Sequence, residues 1–334
     1  MTITIETQTD QPLLELKDLR THFHTFAGVV KAVNGVSFKI GAGEIMGLVG
    51  ESGGGKSVVG FSILGLIESP GKIEGGEILF DGEDLAKASD ERLREIRGRD
   101  ISMVFQDPMT SLNPLHTVGD QMDEVLRLHS NLDADARKQA CIKMLESVGI
   151  SQAEERLKAY PHQFSGGMRQ RVVIAIAMLA QPRLIIADEP TTALDVTIQS
   201  QILKLMRQQI ADNGASMILV THDLAVVSEM ADHITVLYCG QVVEQGKTRD
   251  IIESPSHPYT RGLIDSIPDP TDRMARLNQI PGNVPDIRNL PKGCNFRARC
   301  PRAQDLCAEQ EPTLKPQHNS LVSACHFPLQ PGEK

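Results

Sequence analysis

The stretch "EIMGLVGESGGGKSVVGFSILGLI", residues 44 to 67, decides the fold. Its first residues are apolar and short in run, the pattern of a buried strand, and its last ten read as an apolar helix. Between them Gly50 to Ser57 fits G-x-x-x-x-G-K-[ST], in the strand–loop–helix context that this motif requires. Gly50, Ser52, Gly53 and Gly55 let backbone N–H groups converge on phosphate oxygens, and the helix N-terminus adds the positive end of its dipole. Lys56 is placed to reach the β- and γ-phosphates, and the Ser57 hydroxyl to bind Mg²⁺. A glycine-rich turn with a chance lysine is the bland alternative, and the flanking strand and helix argue against it.

Working outward, "LIIADEP" (184–190) is a second buried strand, ending in Asp188 and Glu189. Asp188 suits a Mg²⁺ ion held through water, and Glu189 is positioned to orient and deprotonate an attacking water. "QFSGGMRQR" (163–171) sets Ser165, Gly166 and Gly167 at the start of an apolar helix, a second anion site made of backbone amides. "FQDP" puts Gln106 just after a strand, and "VTHD" puts His222 at the end of another. Each is weak alone, since strand-end acids and histidines are commonly structural. Further strands are expected in "LLELKDLRTHF", "GVSFKI", "HITVLY" and "QVVEQG", with polar helices between residues 91 and 160. Strands alternating with helices imply a parallel sheet covered on both faces.

Composition narrows the class. A net charge of −9 gives no basic footprint, which argues against a nucleic-acid partner. The first residues, "MTITIETQTDQPLLELKD", lack the basic and apolar regions of a secretory signal, and "RVVIAIAMLA" is too short to span a bilayer. The expectation is a chain that neither crosses a membrane nor leaves the cytoplasm by itself. After Gly246 the texture changes to the proline- and turn-rich "SPSHPYTRG", "SIPDPTD" and "IPGNVPD", so a domain boundary is expected there: 1–246 and 247–334.

In this order and with these neighbours, the motifs resemble the ATPase subunits of ABC transporters over residues 12 to about 246. The resemblance implies an α/β, ABC-type P-loop ATPase, with a RecA-like core, an antiparallel β subdomain and a helical subdomain. It makes "GESGGGKS" the Walker A loop, "LIIAD" Walker B, "FSGGM" the signature, Gln106 the Q-loop residue and a Mg²⁺ contact, His222 the switch histidine and "ALD" (193–195) the D-loop. Phe23 is the candidate for stacking on adenine, with a core aromatic as the alternative. Met168 and Gly54 depart from the commonest pattern without removing a needed group. In this family the signature serves a partner's nucleotide, so Ser165, Gly166 and Gly167 would act in trans across an ATP-bound dimer. Separate transmembrane subunits would dock on the segment after Gln106, "DPMTSLNPLHTVGDQM".

The tail narrows the resemblance. "SHPYTRGL" (256–263), "IPGNVPD" and "GCNFRARCP" are similar to the tail of oligopeptide and dipeptide importer ATPases. That implies a paralogous second ATPase subunit, two transmembrane permease subunits, an extracytoplasmic peptide-binding protein, and a peripheral place on the cytoplasmic face of the bacterial inner membrane. An importer of nickel or another small solute is the alternative in the same class; a soluble ABC ATPase of DNA repair or translation is the alternative in another. Cys294, Cys300, Cys307 and Cys325 are four of six cysteines, spaced C-x₅-C-x₆-C-x₁₇-C. This spacing matches neither zinc-ribbon knuckles nor ferredoxin runs, so by itself it says only that four thiolates could converge on Zn²⁺ or a [4Fe–4S] cluster. The resemblance favours the cluster. Cys141 and Cys239 are read as non-ligands.

Overall fold

The computed structural model describes residues 11–191, 194–267 and 279–333. Ala193 of the expected D-loop and most of "SIPDPTD" lie outside the described residues. In chain order the strands are β1 (Leu14–Thr25), β2 (Gly28–Ile40), β3 (Ile45–Val49), β4 (Gly71–Phe80), β5 (Glu83–Asp84), β6 (Ile101–Val104), β7 (Leu184–Asp188), β8 (Ser216–Thr221), β9 (His233–Tyr238), β10 (Gln241–Lys247), β11 (Lys315–Pro316) and β12 (Val322–Ser323).

Two sheets result. A four-stranded antiparallel sheet, β2-β1-β4-β5, follows from the alternating segments. Val36, Phe38 and Ile40 turn to its buried face, as their spacing requires. The larger sheet runs β11-β12-β10-β9-β3-β8-β7-β6. Its centre, from β9 to β6, is parallel, and β3, β7 and β8 are buried along their whole length. A strand buried on both faces cannot alternate, which explains the unbroken apolar runs. Each fully buried Leu, Ile or Val there contributes about 1.5–3 kcal/mol, an upper figure because the unfolded chain already hides some surface.

The helical region is built on 3.6-residue spacing. Helix Val118–His129 opens with a capping box between Thr117 and Asp120, and buries Val118, Met122 and Leu126. Helix Ala134–Ser147 buries Cys141 and Leu145 against the same core. Helix Gly166–Met178 then enters the interior, capped by the Ser165 side chain.

The tail does not stand apart from the core sheet. Its strand β12 pairs antiparallel with β10, Glu244 opposite Ser323, and β11 pairs with β12 at the sheet edge. Two-residue strands carry no readable pattern, so the sequence does not announce this junction.

Candidate active site

The site lies at the C-terminal ends of the parallel strands, where open α/β sheets bind ligands. β3 ends at Val49 and the chain turns through Gly50 to Gly55 into helix Lys56–Ile63. Two of these glycines are required by close approach. A Cβ on Gly50 would come within 2.2 Å of the Leu237 carbonyl oxygen, and one on Gly55, at φ +94°, within 2.1 Å of the Ala32 carbonyl. The loop is therefore pinned between β9 and β2, with its amides at the helix start.

Lys56 is buried, and its Nζ donates to the carbonyls of Gly50 at 2.8 Å and Glu51 at 3.1 Å. Burial lowers its pKa, while Glu189, Asp188 and Glu51 oppose that shift. Ser57 Oγ donates to Asp188 Oδ1 at 3.1 Å. Asp188 is buried, and its pKa is raised by burial first and by neighbouring Glu189, with Ser57 and Lys56 pulling it down. A hydroxyl and a carboxylate in contact form a hard-oxygen pair that suits Mg²⁺. β8 lies between β3 and β7, so these two residues meet across an intervening strand.

Glu189 follows β7 in the left-handed region, φ +44°, and its N–H bonds Val220 O at 2.8 Å. A non-glycine residue in that region is uncommon and is held there by its surroundings. Gln106 Nε2 donates to Glu189 Oε2 at 3.0 Å, and His222 Nδ1 lies 3.2 Å from Glu189 Oε1. Three strand ends, those of β6, β7 and β8, thus deliver their polar residues to one carboxylate.

The other expected residues lie apart from this cluster. Ser165 accepts from Met168 N and is exposed, as is Gly166; a Cβ on Gly166 would meet nothing within 4 Å. Phe23 is partly buried and lines a groove with Val58, Phe61, Ile67, Pro70 and Phe105. Val58 follows Ser57 directly, so the groove begins beside the phosphate loop.

The four tail cysteines line one cavity together, and neither Cys141 nor Cys239 reaches it. Burial raises the pKa of Cys294 and Cys300 and pushes Cys325 up to about 12. The cavity is about 10 Å³, room for one water, and among the described residues no group of three or more His, Cys, Asp or Glu is arranged to hold a metal ion. Convergence of the four sulfur donors on one cavity is what the structure shows of these residues.

Sequence reasoning also missed two residues at the phosphate loop. Tyr259 and Arg299, both from the tail, bind Glu51. No local signal points to partners 208 and 248 positions away.

Comparison with known proteins agrees with this architecture. Residues 33–192 match the ABC transporter family, and residues 243–307 the C-terminal region of oligopeptide/dipeptide transporters. The oligopeptide transport ATP-binding protein AppD of Bacillus subtilis (strain 168) is 48% identical over 96% of this chain and 98% of its own. The oligopeptide transport ATP-binding protein OppD of Salmonella typhimurium is 45% identical, covering 97% of each. Among solved structures, the dimeric post-hydrolysis state of the ATP-binding cassette MJ0796 bound to ADP and Pi superposes with a TM-score of 0.64 at 28% identity, covering 71% of this chain and 99% of that one. Near-full-length identity of this order leaves one assignment: the chain belongs to the ATP-binding protein family of oligopeptide and dipeptide ABC transporters.

Proposed function

We propose that this chain hydrolyses ATP to drive import of di- and oligopeptides through separate membrane-spanning permease subunits. The observation that carries it is the meeting of Lys56, Ser57, Asp188, Glu189, Gln106 and His222 at one end of the parallel sheet. Lys56 and the amides of Gly50, Ser52, Gly53 and Gly55 bind the phosphates. Ser57, Asp188 and Gln106 would hold Mg²⁺, which when bound neutralises charge on the β- and γ-phosphates. Glu189 takes the proton of the attacking water at a carboxylate oxygen; Gln106 and His222 orient that carboxylate, and His222 also faces the γ-phosphate.

Ser165, Gly166 and Gly167 serve the nucleotide of a second ATPase subunit, a paralogue in this reading. The exposed start of helix Gly166–Met178 supports a role across an interface. Phe23 stacks on adenine, supported by its groove beside Val58. The permeases dock after Gln106, where Met109 and Leu115 are exposed apolar side chains. Among the described residues no helix is long and apolar enough to cross a membrane. In this reading the chain is a peripheral subunit on the cytoplasmic face of the inner membrane, and an extracytoplasmic peptide-binding protein feeds the permeases. Residues 1–246 form the ATPase domain and 247–334 the extension. Peptides are favoured over nickel because the named relatives are oligopeptide and dipeptide transport proteins. In the extension we assign Cys294, Cys300, Cys307 and Cys325 to one metal centre, a [4Fe–4S] cluster ahead of Zn²⁺, supported by their shared cavity.

The test is reconstitution with the permeases in proteoliposomes. ATP-dependent uptake of a labelled peptide is expected, with uptake and nucleotide binding both lost in Lys56→Ala. Uptake that proceeds at the wild-type rate in Lys56→Ala would refute the reading.

A further inference from the structure

Glu51 is an odd residue to find inside an anion-binding loop. Its carboxylate lies one position after Gly50, where amides and Lys56 gather to receive phosphates, and it acts electrostatically on Lys56. A bare negative charge there opposes the binding of a polyanion. Every polar group of this residue is engaged. Its N–H donates to Tyr259 Oη at 2.8 Å, and its carbonyl accepts from Lys56 Nζ and from Gly54 N, each at 3.1 Å. Its carboxylate receives Arg299 as a fork, Nη1 to Oε2 at 2.6 Å and Nη2 to Oε1 at 2.9 Å.

Arg299 is built into place by the extension. Its side chain is 4% exposed, against 29% for Glu51. Nε donates to Pro281 O at 3.0 Å, and the guanidinium lies over the Tyr238 ring. Tyr238, Tyr259 and Phe296 pack ring against ring beneath it, with centroids 4.7 to 5.3 Å apart. The backbone around it is a run of tight turns, in which Arg297 N bonds Cys294 O, Arg299 N bonds Phe296 O and Cys300 N bonds Arg297 O, and the run is tied down where Cys294 N bonds Cys307 O. The cysteine segment therefore determines where the guanidinium sits.

We propose that Arg299 is a positioning residue of the ATP site: it neutralises Glu51 and holds it against the extension, so that the phosphate loop offers phosphates its amides and Lys56 without a competing carboxylate. The inference rests on the reading of Gly50–Ser57 as the ATP site. It makes nucleotide affinity depend on the folding of a segment that begins more than 240 residues later in the chain. A packing salt bridge that only anchors the tail is the plainer account, and it predicts lost stability without a selective effect on ATP.

The experiment uses the full chain assembled with its partners and measures KM for ATP and kcat. Arg299→Ala is expected to raise KM about tenfold, the scale of one charge-assisted hydrogen bond, with kcat within about threefold of wild type. Arg299→Lys restores the charge but not the fork, and should recover part of the loss. The deciding variant is Glu51→Gln with Arg299→Ala: removing the exposed carboxylate should return KM to within about threefold of wild type. Wild-type KM in Arg299→Ala, or a double variant no better than the single one, would overturn the proposal. Should Arg299→Ala not assemble, Arg299→Gln carries the test: it keeps much of the side chain but not the charge, and is expected to raise KM severalfold, whereas wild-type KM would refute charge masking. Wild-type nucleotide affinity in Lys56→Ala would instead remove the ATP-site reading beneath both.

Discussion

Glu244 gives this fold a pH dependence whose sign and size follow from its surroundings. It lies on β10, is wholly buried, and accepts the backbone N–H groups of Ser256 at 2.5 Å and His257 at 3.1 Å. Burial raises its pKa from the ordinary 4.5 to about 7, and the N–H donors hold that rise back only in part. The folded chain therefore keeps a proton that the unfolded chain releases from about pH 4.5 upward. Stability from this group is fully present below pH 4.5 and is lost as pH rises through about 7. The interval from 4.5 to about 7, at about 1.36 kcal/mol per pH unit, is worth about 3 kcal/mol. His257 works in the opposite direction: its burial pushes its pKa down to about 3, which costs stability as the unfolded imidazole gains its proton below about pH 6.5. The difference between wild type and Glu244→Gln isolates Glu244, because the His257 contribution is common to both. The assay is urea unfolding at pH 5 to 8 followed by tyrosine fluorescence. The chain has no Trp, and two of its three tyrosines, Tyr238 and Tyr259, pack at the junction of core and extension. Relative to the variant, wild type is expected to lose about 2–3 kcal/mol from pH 5 to pH 8. Parallel profiles would refute the reasoning.

Two further outcomes are expected. Glu189→Gln keeps the shape of the side chain and removes the base, so turnover should fall by about 10²–10⁴-fold with ATP affinity retained; steady-state hydrolysis beside nucleotide binding measures both, and wild-type turnover would remove Glu189 from its role. Protein purified without oxygen should carry iron and sulfide bound by the four tail cysteines, read by metal analysis and visible absorption; stoichiometric zinc would replace the cluster but keep the site, and four freely titratable thiols without metal would remove both.

The parts of this molecule legible in its sequence are those where local pattern and tertiary role coincide. Strand, glycine loop and apolar helix fix one another over residues 45 to 63, and the runs at 184–188 and 216–221 can only be strands buried on both faces. Helix Val118–His129 announces itself through its cap and its spacing. Legibility ends where a role depends on long-range placement. β10 has a bulge between Val242 and Glu244, so simple alternation does not show that Glu244 points inward. β11 and β12 are too short to carry a pattern, yet they attach the extension to the core sheet. The four cysteines were visible as a group, but only the fold shows that they line one cavity. Arg299 reads as one arginine among several in a basic turn, and only the fold brings it to Glu51.

The geometry around Glu189 also limits how a water can reach it. Both carboxylate oxygens face groups of the same chain, Gln106 Nε2 at Oε2 and His222 Nδ1 at Oε1, and the side chain is 13% exposed. Each carboxylate oxygen has two lone pairs, so a water can approach either one with both contacts in place, and the two neighbours constrain its direction of approach. His222 is open to solvent, its side chain 59% exposed, and its contact is the longer of the two. Gln106 and His222 reach Glu189 from opposite sides because β6 and β8, the strands that precede them, flank β7 in the sheet.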